Sequence, residues 1–372
     1  MKTLVIFDGG LAPGYTAVAV GLTEEGEKLG WECWAARSGF RSLCEGFSDE
    51  PQLIRMVTSP INAYELNNKG IPTETMGRRI FYPGSDFRSE RFPEFIREDY
   101  QKKAVETIIQ NKFEAVIFCG GDGTLRGAKD LLKILPSNIK TAFINISADS
   151  DINNDRAIGF FSCAEHGAQI ARGLYEDAYT HRRIYFLEMM GNKSGRHALH
   201  SGAAARAHLI ILPIFDFSSE ILAEIANELS KRRHALVVVA EGYKKEERKK
   251  NNMNINAAEY FIKELEPYGF KDSPQKRVIA EPFSRYLRGT QPLMIDCEIA
   301  HLKCQLITKA LQQGKTAIMV YYQSEHDLGF QDIMTAYSDN AVEKEFVSMI
   351  NRLELPITSK YVEEVLSKPL KL

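Results

Sequence analysis

The chain has 372 residues, 44% hydrophobic and 26% charged, with a formal net charge of −2. That balance excludes a disordered chain, and the near-neutral charge excludes a broad polyanion-binding face, so no nucleic-acid partner is expected. The longest apolar runs, residues 209–215 and 235–240, are strand-sized and far below the roughly 18 residues that a membrane span requires. Length alone allows two globular domains.

Residues 4–7 form the first apolar run, which meets Asp8 too early for a signal-peptide core. A soluble, cytoplasmic chain is therefore expected. Asp8-Gly9-Gly10 and Ala12-Pro13-Gly14 follow, then a predicted helix over 16–28 with Gly30 as its stop. A strand is predicted over 31–36. A helix over 99–110 leads to a strand over 113–119 and then to Gly120-Gly121-Asp122-Gly123-Thr124. The strand over 141–146 ends in a polar loop, with a helix over 163–175 beyond it.

The second half repeats the alternation, with strands over 184–189, 208–213 and 235–240. Strands apolar on both faces imply parallel sheets covered by helices on each side, so two α/β domains are predicted. Lys244-Lys245-Glu246-Glu247-Arg248-Lys249-Lys250 reads as a solvated loop leading to a helix over 257–265. Gly314-Lys315-Thr316 has Lys309 where a P-loop needs its first glycine. It reads as a helix stop before a strand over 317–321. The six cysteines (Cys33, Cys44, Cys119, Cys163, Cys297, Cys304) show no CxxC and no zinc spacing, so reduced thiols and no structural metal are expected.

Three loops fall at strand carboxyl ends, where open parallel sheets place their sites. Glycines in Asp8-Gly9-Gly10-Leu11-Ala12-Pro13-Gly14 and in Gly120-Gly121-Asp122-Gly123-Thr124 let backbone amides approach a phosphate at a helix N-terminus. Asp122 adds a carboxylate able to hold Mg²⁺. Ser147-Ala148-Asp149-Ser150-Asp151 offers two carboxylates two residues apart. Phosphoryl transfer to an alcohol needs one carboxylate to take the hydroxyl proton and others to organise the metal. Taken singly, each loop also fits a tight turn or a solvated acidic turn.

Together these segments resemble the ATP/pyrophosphate-dependent 6-phosphofructokinase family, in order from Thr3 to about Ala300. Gly9-Gly10-Leu11-Ala12-Pro13-Gly14 is similar to its GGDAPG loop, and Ser89-Glu90-Arg91-Phe92-Pro93-Glu94-Phe95 to SARFPEF. Residues 120–124 match GGDG[ST], Ser147 to Asp151 align with TIDND, and Ile158-Gly159-Phe160 with IGF. Glu188-Met189-Met190-Gly191 is similar to EVMGR short of its last residue, Ala240-Glu241-Gly242 to AEG, and Arg288-Gly289 falls at QRGG. An NAD-kinase-like or lipid-kinase-like reading shares GGDGT but leaves residues 89–95, residues 147–151 and Glu241 unexplained.

The resemblance implies two Rossmann-like three-layer α/β domains with mostly parallel sheets. A donor domain would span 1–159 plus 292–335, and a sugar-phosphate domain 160–291 plus 336–372. It implies a Mg²⁺-dependent transfer of the terminal phosphoryl group of ATP to C1 of fructose 6-phosphate. Asp149 would be the base, with Asp151 supporting it, Ser147 donating to the moving phosphoryl group and Asp122 contacting Mg²⁺. Arg91 would clasp the donor, with Phe92, Gly121 and Thr124 beside it and Gly10, Gly123 and Gly127 leaving room. Met190, Gly191, Asn192 and Glu241 would hold the sugar. Arg285, Arg288 and, from a neighbouring subunit of a dimer or tetramer, Arg183 would hold its phosphate. Arg277 is a looser second candidate for that cross-subunit role.

The chain also departs from the pattern. Leu11 replaces the Asp of GGDAPG, and Asn192 replaces the Arg of MGR, with Lys193 or Arg196 near enough to compensate. Arg285 stands where a His is expected, and Leu287 and Thr290 alter QRGG. Gly123 is the ATP-type residue, whereas Ile146 matches neither the Gly of ATP users nor the Lys of pyrophosphate users. Pyrophosphate as donor, another sugar or polyol as acceptor, and a non-catalytic binder of sugar phosphate or nucleotide are the alternatives.

Overall fold

The computed structural model describes residues 1–46, 49–77, 79–191, 193–283, 285–324 and 326–338. Residues 339–372, most of the C-terminal stretch given to the sugar-phosphate domain by sequence, lie outside the described residues. So does Asn192. The chain forms two units, one from Met1–Ser162 with residues 288–338, the other from Cys163–Leu287.

In chain order the elements are β1 (Lys2–Phe7), α1 (Tyr15–Lys28), β2 (Glu32–Ala36), α2 (Arg41–Cys44), β3 (Leu53–Val57), α3 (Pro60–Asn68) and β4 (Thr73–Thr75). Then come α4 (Glu98–Gln110), β5 (Ala115–Gly120), α5 (Asp122–Leu132), β6 (Lys140–Asn145), α6 (Phe160–His181), β7 (Arg183–Met189) and α7 (Arg196–Ala204). They continue through β8 (Leu209–Ile211), α8 (Ser219–Lys231), β9 (Ala235–Ala240), α9 (Lys245–Lys250), α10 (Ala257–Leu265) and β10 (Arg277–Pro282). The last are α11 (Met294–Gln312), β11 (Ile318–Ser324) and β12 (Asp327–Asp332).

The first unit holds an eight-stranded sheet in the order β12-β11-β6-β5-β1-β2-β3-β4. Only the β2–β3 and β11–β12 pairs are antiparallel. The second unit holds four parallel strands, β10-β7-β9-β8. The predicted mixed α/β architecture with mostly parallel sheets is therefore present. β5 and β9 are buried at every residue, as strands covered on both faces must be. One face of the first sheet packs Leu4, Ile6, Val116, Phe118 and Phe143 against Leu125, Ala128 and Ile108 of α5 and α4.

Two local expectations change. The charge run at 244–250 is a short helix, α9, rather than a loop. Its i,i+3 pairs, such as Lys249–Glu246 at 3.0 Å, support one turn of helix. The helix that begins at Phe160 extends to His181, beyond its predicted end. Gly314, with φ +88, does end the segment after α11 as expected of a helix stop.

Buried polar groups fix the loops at the carboxyl edge of the first sheet. Asp8, at the end of β1, accepts hydrogen bonds from the Phe40 amide (3.3 Å) and the Thr124 hydroxyl (3.0 Å). Burial pushes its carboxyl up to about 6 against the opposing pull of those donors. Asp155 and Lys303 form an ion pair at 2.7 Å with both side chains fully buried. Asp155 also accepts from the Tyr322 amide at 2.7 Å, tying the segment after β6 to α11 and β11. Asp296 accepts from the Gly159 and Ser162 amides at 2.9 and 2.8 Å, capping the start of α6. Gly14 (φ +103) and Gly159 (φ +96) interlock here. A Cβ on Gly14 would strike the Ile158 side chain, and one on Gly159 the Pro13 carbonyl.

Two outcomes are expected. Lys303→Met should cost about 3–5 kcal/mol in denaturant unfolding by stranding a buried carboxylate, and adding Asp155→Asn should recover part of that loss. For Asp8, the folded chain holds its proton to higher pH than the unfolded chain. Stability therefore falls as pH rises from about 4 to about 6. Asp8→Asn should flatten that stretch of the stability–pH profile, a change on the order of 2–3 kcal/mol at pH 7. An unchanged profile would remove Asp8 as its source.

Candidate functional site

β1 lies between β5 and β2 in the first sheet, and β5 lies between β1 and β6. After β1 the chain moves outward through β2, β3 and β4. After β5 it moves the opposite way through β6. That reversal makes the carboxyl ends of β1 and β5 a topological switch point, where parallel sheets open a crevice. The two glycine-rich loops arise there, and the acidic loop arises at the carboxyl end of β6, the strand next to β5.

The loop after β1 is held by Asp8 N→Cys119 O (2.9 Å) and Gly9 N→Glu90 O (3.1 Å), the second drawing in the segment that carries Arg91 and Phe92. Gly10 faces two guanidinium groups. A Cβ there would lie 3.0 Å from Arg288 Nη1 and 3.5 Å from Arg91 Nη2. Arg288 Nη1 also donates to the Leu11 carbonyl at 3.2 Å. Neither arginine pairs with a carboxylate among the described residues. Phe92 packs edge-on against Tyr100, with centroids 5.2 Å apart.

β5 ends at Gly120, and α5 starts at Asp122 with Gly121 as its N-cap. The free amides and the positive dipole end of α5 favour a phosphate there. Around Gly123 no atom lies within 4 Å of a Cβ position, so this side is open. Gly127 differs. The space its side chain would fill is taken by Phe40 Cε2 at 2.7 Å and Phe95 Cδ1 at 3.3 Å, so its smallness serves packing. Thr124 is turned inward to Asp8. Asp122 accepts from Arg126 at 2.8 Å and from the Ser338 hydroxyl.

The acidic loop follows β6 directly. Ile146 N donates to Gly120 O and Ser147 N to Ile158 O, both at 3.0 Å. Ser147 Oγ accepts from the Asp149 amide at 3.1 Å. Ser150 sits at φ +49, and its hydroxyl accepts from Ala157 N at 3.1 Å. A Cβ on Gly121 would lie 3.2 Å from Ser147 Oγ, so the glycine loop and the acidic loop are in contact. Asp149 and Asp151 are half-buried in that loop.

Divalent-metal chemistry fits this donor set. Asp122 supplies a hard carboxylate oxygen at the mouth of the glycine loop. Magnesium keeps several waters and takes one or two carboxylates plus substrate phosphates, so one such ligand suffices. Among the described residues no three His, Cys, Asp or Glu side chains gather as a protein cage.

In the second unit Met190, Gly191 and Glu241 meet at the carboxyl ends of the adjacent strands β7 and β9, joined by Glu241 N→Met189 O at 2.8 Å. Gly191 adopts φ +131 and packs on Gly195. Arg285 is exposed beyond β10. Arg183 opens β7 at the opposite edge, beside Arg277 in parallel register, and its Nη1 contacts Asp177 Oδ2 at 3.3 Å. The length of β7, about 20 Å at roughly 3.3 Å per residue, separates it from Met190 within one chain. Sequence reasoning missed Asp8, Asp155, Lys303, Asp296 and Arg248. Only Asp8 carried a local signal, a carboxylate directly between an apolar strand and two glycines.

A family model described as phosphofructokinase matches residues 2–311. The ATP-dependent 6-phosphofructokinase of Lactobacillus johnsonii is 26% identical over 336 residues, 90% of this chain and 92% of that protein. The enzyme of the same name from Ligilactobacillus salivarius is 27% identical over 322 residues, 85% of this chain and 87% of its own. Among solved structures, phosphofructokinase from Saccharomyces cerevisiae superposes with a TM-score of 0.72 at 21% identity, over 98% of this chain and 48% of that one. The chain thus spans about half the length of the yeast chain. Pyrophosphate-dependent phosphofructokinase from Marinobacter aquaeolei gives a TM-score of 0.70 at 18% identity, over 95% of this chain and 91% of that one. At those identities the structural likeness speaks to fold. With a family match over residues 2–311 of 372, the chain belongs to the phosphofructokinase family.

Proposed function

We propose that this protein is a 6-phosphofructokinase that moves the terminal phosphoryl group of ATP to the C1 hydroxyl of fructose 6-phosphate. The observation that carries the reading is the contact of the α5 glycine loop with the acidic loop after β6, read from Gly121 and Ser147. A phosphate bound at the first loop would lie beside the carboxylates of the second.

Asp149 takes the hydroxyl proton as the new P–O bond forms, and Asp151 supports it. Ser147 donates to the transferring group, and the amides at the start of α5 hold the donor phosphates. Arg91 adds a planar, permanently charged fork. Asp122 would hold Mg²⁺ together with the donor phosphates, and the ion would supply positive charge against that developing in the transfer. Met190, Gly191 and Glu241 hold the sugar, and Arg285 and Arg288 its 6-phosphate. Asn192, given to the sugar by sequence, lies outside the described residues.

Two observations favour ATP over pyrophosphate. The open space at Gly123 accommodates a nucleotide, where an Asp side chain would crowd and repel it. Ile146 is buried at 1% exposure, so this position offers no cation to a pyrophosphate. Arg183, remote from Met190 along β7, fits a homo-oligomer in which it serves a neighbour's sugar phosphate. A cytoplasmic setting suits this activity. Among the described residues no helix is long and apolar enough to cross a membrane.

A coupled assay for fructose 1,6-bisphosphate with Mg²⁺ should show turnover with ATP and little with pyrophosphate. Silence with both donors, from folded protein, would count against the acceptor or against catalysis itself. Asp149→Asn should lower kcat by about 10²–10⁴-fold with little change in sugar-phosphate binding. Gly123→Asp should reduce ATP use more than pyrophosphate use, and equal losses would contradict the donor assignment.

A further inference from the structure

In the charge run at 244–250 one side chain turns back onto the backbone around it. Arg248 folds back from α9. Its Nη2 donates to the Glu241 carbonyl at 2.6 Å, its Nε to the Tyr243 carbonyl at 3.2 Å and its Nη1 to the Ile255 carbonyl at 3.0 Å. Three nitrogens of one planar group are thus spent on three backbone acceptors, and no carboxylate among the described residues pairs with it. A guanidinium fits this task because its donors diverge in a fixed fork, whereas an ammonium is a compact point charge.

These acceptors lie on two segments. Glu241 and Tyr243 belong to the turn that leaves β9, a turn closed by Tyr243 N→Ala240 O (2.9 Å) and ending at Lys244 with φ +47. Ile255 lies just before α10. The first amide of α10, Ala257 N, donates to Glu188 Oε2 at 2.5 Å, and Glu188 sits near the end of β7, two residues before Met190. From β9 the connection therefore runs through Arg248 to the start of α10 and through Glu188 to β7. It returns by Glu241 N→Met189 O. This closed ring sets the turn bearing Glu241 against the strand end bearing Met190 and Gly191.

We infer that Arg248 is a positioning residue for the acceptor site, holding the Glu241 turn in register with the end of β7. The inference rests on the reading that Glu241 binds the sugar phosphate. Its effect is specific to one substrate, because the ring lies wholly in the second unit and the glycine and acidic loops lie in the first.

Steady-state kinetics on Arg248→Met and Arg248→Lys, with the exposed neighbour Lys249→Ala as control, test it. Arg248→Met should raise KM for fructose 6-phosphate about tenfold, equivalent to about 1.4 kcal/mol, with KM for ATP unchanged. Arg248→Lys should fall between, and Lys249→Ala should match the parent. Amide hydrogen exchange gives a readout that does not need activity. Exchange at residues 241–245 should accelerate in Arg248→Met while amides of β5 and α5 keep their protection. Equal shifts in both KM values, or unchanged exchange at 241–245, would overturn the inference. If Arg248→Met does not fold, Arg248→Lys carries the same two comparisons. Glu241→Gln separates the two readings. An unchanged KM for fructose 6-phosphate in that variant removes the acceptor role of Glu241, while faster exchange at 241–245 in the Arg248 variants still establishes the anchoring.

Discussion

A carboxylate buried at the end of the central strand of a parallel sheet has to find donors, and Asp8 finds them on two different elements. The Phe40 amide comes from the start of α2 and the Thr124 hydroxyl from the first turn of α5. Leaving either bond unmade would strand a nearly buried charge, a loss of several kcal/mol. The geometry of the two glycine-rich loops follows from that need. α5 is drawn toward β1 at the residue that ends the GGDGT motif, and Gly120 must lack a side chain because Thr124 and the Asp8 carbonyl occupy its place. Tyr15 closes the arrangement from the other side, its hydroxyl donating to the Asp8 carbonyl at 2.7 Å.

What the sequence made legible and what it hid divide along physical lines. Strands buried on both faces, β1, β5, β6, β7 and β9, announce themselves by unbroken apolar runs, and their ends shift by only a few residues in the structure. β3 carries Arg55, β10 has Glu281 and Pro282, and β12 pairs antiparallel at the edge. These strands are partly solvated, so their composition does not separate them from loops. The glycine and acidic loops could be read because tight turns and paired carboxylates leave local marks. Lys303 could not, since its meaning depends on Asp155, 148 positions away. Arg248 was hidden by company. Six charged neighbours made it look like one more solvated residue, and only the fold shows its three carbonyl partners.

Glycines within the motif region turn out to be small for unlike reasons. Gly123 borders open space, so its lack of a side chain leaves room outward. Gly127, one turn later on the same helix, is small because the Phe40 ring lies against it, and Phe40 in turn stacks on Phe95 with centroids 4.1 Å apart. A substitution at 127 would therefore disturb the aromatic stack beneath the segment bearing Arg91. A change at 127 thus acts through packing, while a side chain at 123 would enter open space. Motif membership alone cannot separate these two cases.

The departure at Leu11 acquires a physical sense beside Gly10. Two guanidinium groups approach the same backbone position, and Arg288 satisfies part of its hydrogen-bonding capacity on the Leu11 carbonyl. Leu11 cannot neutralise either cation. Like charges held this close repel each other, and a doubly charged phosphate relieves that repulsion more than a monoanion does. The loop's one remaining carboxylate, Asp8, lies on the buried side, where it is engaged by Phe40 and Thr124 and cannot screen the arginines fully. Leu11, where the family pattern has Asp, thus leaves the two guanidinium groups without a carboxylate from the outer side of their own loop.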